Sequence, residues 1–421
     1  MPTSRQTHPA SDARALFAFF TLCLLAFVLK SPDAYVDPQF WAEDGTVFFQ
    51  QQWNHGWPQV FVPYAGYLHV IPRLVAWAAS FFPIVWAPTL HNFANLGLCA
   101  AGVAYMLWRL ESPRLATLLF LGLFLTPTGR GIFGTLTNLQ WFLQLAMVAA
   151  CFIPARRLHG WRQPALLFGL LMCALTGPFS AMLVAIHAGL LGLAALFLRF
   201  RPAMGLAQEL RGYLDGLDRT RLSILWLGGL AQVIAVMLAP AQPSGGELLP
   251  TVLAALGGVT QTHTFGHRIM PASMFLALLV CLCAGAALAR LPARLKGCIL
   301  VLSALALLEV AAGCAKSGLM GDSLGSGDRY FVLFKAMFWL LAWIGASWLL
   351  SSRRAQAWPM LVACLILVAA INGASLQRPR IDGPKWRDGV ASMVPGQPAE
   401  IPISPSRWKV RLTPPVPEPA Q

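Results

Sequence analysis

The sequence predicts an all-α fold, a polytopic transmembrane helix bundle of about 11 spans (10–12). Three observations predict it. Of 421 residues, 57% are hydrophobic and 11% charged, with a mean hydropathy of +0.61, more apolar material than a soluble domain needs to fill its core. Apolar runs recur near 15–30, 67–83, 85–108, 114–127, 136–153, 163–177, 180–198, 221–239, 269–289, 297–314, 330–350 and 358–373, each approaching the roughly 20 residues of a membrane span. Lys and Arg outnumber Asp and Glu by 31 to 17, a formal charge of +14, and they lie in short clusters between the runs. That spacing is a topology signal; a nucleic-acid binder would gather its cations on one polar face, and no nucleic-acid partner is expected.

Taken in order, the first run follows Arg5 and Arg14 and lacks a small-x-small cleavage site, so it reads as an uncleaved span with a cytoplasmic N-terminus. The basic groups Arg109 with Arg114, Arg156 to Arg162, Arg199 to Arg221, Arg290 to Lys296, and Arg353 with Arg354 then mark cytoplasmic ends. Segments 32–66, 128–135, 240–268, 315–329 and 374–421 fall on the outer face. This alternation works only if one early run fails to cross. The run 67–83, with His69, Pro72 and Arg73, is the expected exception, lying partly in the interface.

Residues 1–373 therefore form the bundle, with a helical, acid-bearing first outer loop at 32–66. Residues 374–421 form a polar, Pro-rich outer tail, partly ordered at most. The nine cysteines sit in or beside apolar runs and read as small core residues, and no residue spacing matches a metal site.

The stretch "DPQFWAEDGTVFFQQQW" sets Asp37, Glu43 and Asp44 among aromatics just past the first span. Acids at a helix start serve the macrodipole and cap free N–H groups. Acids held at a membrane surface, where neighbouring charge and low dielectric raise a carboxyl pKa, also serve as a base toward a hydroxyl. Complementary charge lies far along the chain: His267 and Arg268 in "QTHTFGHRIMP", and Arg329 in "GDRYFVLF". Cations on the outer side oppose the positive-inside rule; a phosphate at headgroup depth would account for them, as would pairing with Asp328 or snorkelling.

The topology, with "FWAEDGTVF", "GYLHVIPR", "GTLTNLQWFLQL", "LTGPFS" and "GDRYF", resembles the GT-C superfamily of membrane glycosyltransferases. The resemblance implies an enzyme of a bacterial cytoplasmic membrane, without cofactor, that takes a sugar from a polyprenyl-phosphate lipid donor. The sugar would pass to a hydroxyl on a glycan or lipid acceptor at the outer face. It implies a catalytic carboxylate at Asp44 or Glu43, with Asp37 next, and a phosphate-holding Arg329, with Arg268 and His267 behind it. Asn138, Gln140, Tyr67 and His69 would line the sugar site, with Trp141 stacking on the sugar. No adjacent Asp-Asp pair and no "WWDYG" stretch occurs, which argues against a peptide Asn acceptor. A lipid-linked sugar flippase and a polysaccharide polymerase or ligase are the rival readings; the first has no mid-membrane charge array or paired halves to support it.

Overall fold

A computed structural model describes residues 9–154, 160–200, 205–240, 248–264, 283–288, 290–317, 327–350 and 354–413. The longer helices are α1 (Pro9–Lys30), α2 (Val70–Ala79), α3 (Ala87–Arg109), α4 (Pro113–Phe124), α5 (Gln140–Cys151), α6 (Arg162–Ala174) and α7 (Phe179–Phe200). They continue as α8 (Gly205–Asp215), α9 (Arg219–Leu238), α10 (Leu248–Gly258), α11 (Ala293–Ser317), α12 (Val332–Leu349) and α13 (Arg354–Ile371).

Among the described residues, five helices are long and apolar enough to cross a membrane: α1, α7, α9, α11 and α12 with its leading turn at Asp328. This marks a membrane protein. The shorter apolar helices, α2, α4, α6, α10 and the segments Leu136–Cys151 and Trp358–Ile371, cover about 15–24 Å at 1.5 Å per residue, less than a hydrocarbon core of about 30 Å. The expected run 67–83 yields only the ten-residue α2. Helix α3 has the length, but it carries buried His91, Asn92 and Asn95, and Asn92 donates to the Ala34 carbonyl at 2.9 Å. Much of the expected run 269–289 lies outside the described residues.

The core forms where small side chains let α3 approach α1 and α5: Cys99, Ala100, Val103 and Ala104 are fully buried. Around them Phe27 meets Phe124 and Phe142 edge-on at 5.1 and 4.8 Å, a favoured aromatic geometry. The eight described cysteines are not joined in disulfides. At the far end of α5 the chain satisfies the carbonyls that a helix terminus leaves open. Arg221 donates to Ala150, Tyr213 to Phe152 and Arg109 to Ile153.

The tail corrects two expectations. It contains a β-hairpin, β1 (Ala399–Ile403) antiparallel to β2 (Trp408–Leu412), so the fold is mostly helical and not wholly so. Nor is the tail a loose appendage. Ile401, Ile403, Val410 and Leu412 point to one side of the hairpin and bury with Trp386 against Phe40, Phe49 and Ala87, following the two-residue period of a strand. Trp386 donates from its ring to Ile84 O at 2.9 Å and from its backbone to Gln39 at 2.7 Å. Arg378 reaches Asp33 at 2.8 Å, and Ala42 N donates to Ser404 O at 2.6 Å. At Gly45 an added Cβ would lie 2.7 Å from Ile403, so the close approach of the hairpin requires the glycine. Charge and proline content pointed to a solvated tail; the alternating Ile, Val and Leu residues were the contrary signal.

Candidate active site

The five stretches singled out in the sequence meet at the end of the bundle where the first loop lies. Phe48 of "FWAEDGTVF" packs on His69 of "GYLHVIPR" at 5.3 Å, and His69 bridges to Thr176 of "LTGPFS". Gln140 of "GTLTNLQW" lies against Gly177, where an added Cβ would fall 1.8 Å from the amide oxygen and where φ is +83°. Gly177 is therefore fixed both by space and by backbone. Trp141 meets Phe179 at 4.8 Å and Tyr330 of "GDRYF" at 4.9 Å, both edge-on.

The three acids of the first loop part company. Asp44 is buried, at 1% exposure. Its Oδ2 accepts from Leu136 N at 2.8 Å, and its Oδ1 from Thr137 N at 2.7 Å and from the Thr137 hydroxyl. It thus caps the turn Leu136–Asn138 that leads into α5, an anion at a helix start, though the helix is one 92 residues distant and not its own. Burial pushes its pKa up to about 7, the three donors hold it back, and the charge of Glu43 adds to the rise.

Asp37 is bound to Lys385 and to Gln39, and the Lys385 contact holds its carboxyl below the usual range. It tethers the tail. Two of the three acids ranked in the sequence as catalytic, Asp44 and Asp37, are thus engaged inside the chain, because a carboxylate beside an ordered segment finds its N–H and ammonium donors.

Glu43 differs. It is half-buried, and its polar contact is a loose one, the Tyr64 hydroxyl donating to Oε1 at 3.5 Å. Burial pushes Tyr64 up to about 12, aided by the charge and hydrogen bond of Glu43 and opposed by the charge of Arg329. Burial likewise raises Tyr67 to about 12; Arg329 opposes that too, as does a hydrogen bond with Gln140. One phenol therefore feels both the first-loop carboxylate and the late guanidinium. Arg329 itself is exposed and its guanidinium lies 5.4 Å from the Tyr330 ring centroid. Its neighbour Asp328 turns inward, accepting from Gly129 N at 2.9 Å and from Lys335 at 2.7 Å, so the two adjacent charges face opposite ways.

Tyr67, at 4.7 Å from His69, and Gln140 join this cluster. Asn138 does not present its amide to it: Nδ2 donates to Gly131 O at 2.6 Å and to Thr135 at 3.0 Å, closing the loop before α5. Arg268 and His267 lie outside the described residues. Tyr64 and Tyr330, which belong to the cluster through Glu43 and Trp141, were not singled out in the sequence. Their signal was adjacency, Tyr64 to "GYLH" and Tyr330 to Arg329.

Arg73 is buried, with Nη2 donating to Gln51 at 2.9 Å and the guanidinium 5.6 Å from the Phe48 ring, which anchors the first loop to α2. Among the described residues no three His, Cys, Asp or Glu side chains gather as a metal cage. The cluster thus joins a carboxylate, an exposed guanidinium, phenols, an amide and indole, the chemistry of an anionic and hydroxyl-rich ligand. No family model matches the chain, and no curated protein or solved structure does.

Proposed function

We propose that the protein is a multi-pass glycosyltransferase of a bacterial cytoplasmic membrane, with the shorter helices completing a bundle of about eleven spans and the first loop and tail on the outer face. The donor is a sugar on a polyprenyl phosphate, and the acceptor is a hydroxyl of a glycan or lipid. The observation that carries this reading is geometric: the Tyr64 hydroxyl donates to Glu43, and Arg329 lies 5.4 Å from the Tyr330 ring, which itself meets Trp141 at 4.9 Å, so a base and a phosphate holder border one group of aromatic side chains. In the displacement, the acceptor oxygen bonds to the anomeric carbon as the bond from that carbon to the phosphate oxygen breaks. Glu43 takes the hydroxyl proton, and the departing polyprenyl phosphate keeps the bonding pair with its charge facing Arg329. Tyr67, Trp141 and Tyr330 stack on the sugar, and Gln140 binds its hydroxyls.

Purified protein in liposomes, given polyprenyl-phosphate sugars labelled in the sugar, tests this. Release or transfer of label from one donor is expected, and Glu43→Gln should stop it. Lipid movement between leaflets with the sugar still attached would replace the enzyme reading with that of a flippase.

A further inference from the structure

Helix α11 carries one acid inside the bundle, Glu309, at 0% exposure. Both of its oxygens are buried without a donor. Among the described residues, the polar side chain within its reach is Gln144 of α5, and it donates its amide to the Trp141 carbonyl of its own helix at 3.0 Å. That leaves Gln144 Oε1 also buried without a donor. An ionised carboxylate in such a place has no counter-charge among the described residues and only the Gln144 amide within reach as a hydrogen-bond partner, a costly state in a membrane interior. One proton removes the charge and supplies the missing donor.

We propose that Glu309 is a neutral carboxylic acid, its O–H donated to Gln144 Oε1, and that it acts as a positioning residue for the cluster of the candidate site. Gln144 lies one turn along α5 from Gln140 and next to the carbonyl of Trp141. One turn further along α11, Gly313 lies against the Tyr330 ring, 2.9 Å from where a Cβ would stand. The acid therefore clamps α11 to α5 directly behind the residues that present Gln140, Trp141 and Tyr330. Protonation of Glu309 stands independently; the positioning role rests on that cluster being the sugar site.

Infrared difference spectra of the detergent-purified full chain at neutral pH test the protonation. The wild type should show a protonated carboxyl stretch that persists in Asp44→Asn and is lost in Glu309→Gln. Thermal unfolding provides the second reading: Glu309→Gln, whose amide can donate to Gln144, should match the wild type, while Glu309→Leu should melt several degrees lower. Transfer should follow the same order, with rescue by Gln and loss by Leu. A wild-type spectrum lacking that band, or a Glu309→Gln variant that melts well above the wild type because a buried charge has gone, overturns the proposal whether or not the protein transfers sugar. Equal melting and equal transfer by Glu309→Leu and wild type overturn the positioning role.

Discussion

The first loop has two faces, and they treat charge in opposite ways. On the face against the tail, polar side chains are matched within the chain: Asp37 with Lys385, Asp33 with Arg378, and Asn54 with the backbone of Arg411 and Thr413. Toward the bundle, Asp44 is likewise matched by N–H donors, yet its neighbour Glu43 has a single loose contact and Arg329 stands exposed nearby. Adjacent residues of one sequence motif thus do different physical work. Matched charges hold the loop in shape, and unmatched ones are left to meet something from outside.

The comparison breaks first at Arg329. Arg329→Ala should lower transfer by about 10²–10³-fold, the range for losing a group that holds developing charge, with the melting temperature unchanged because the side chain is exposed. Melting that falls with activity would move Arg329 to the matched set. The next effect should come from the tail face. Trp386→Ala removes a buried indole and its bond to Ile84 and should cost about 3–5 kcal/mol, read as faster proteolytic release of the chain beyond residue 372.

Asp44→Asn should cost about 1–3 kcal/mol, since an NH2 group would then face a backbone N–H, seen in thermal unfolding. The same residue gives a pH signature. Its carboxyl titrates at about 7 in the fold against 3.8 as the ordinary value, so the fold holds the proton more tightly. The stability this contributes is fully present below 3.8 and is lost as pH rises through about 7. Melting temperatures across that window should slope downward in the wild type and lie flatter in Asp44→Asn. The smallest effect belongs to Asp37→Asn: a surface pair is worth about 0–1 kcal/mol, and transfer should be unaffected.

Much of this was legible in the sequence. The apolar runs marked the membrane class, and five short stretches of the sequence meet in space, because their Gly, aromatic and amide residues are those that close contacts demand. What the sequence hid was assignment within the motif. Asp44 and Glu43 are indistinguishable as letters; the difference lies in Thr137 and Leu136, which reach one of them across 93 and 92 residues. The hairpin was hidden by its surroundings, since the prolines and charges of the tail outweighed two five-residue strands. The span count was not legible from run length alone, because several apolar runs fold into helices shorter than their runs, as with α2 and α4.

The most direct measurement is the initial transfer rate per folded molecule of Glu43→Gln beside Asp44→Asn, in liposomes supplied with a polyprenyl-phosphate sugar. The account predicts that Glu43→Gln loses about 10²–10⁴-fold, the range for a general base, while folded Asp44→Asn keeps most of its rate. Near-normal transfer by Glu43→Gln, with loss in Asp44→Asn, would contradict it.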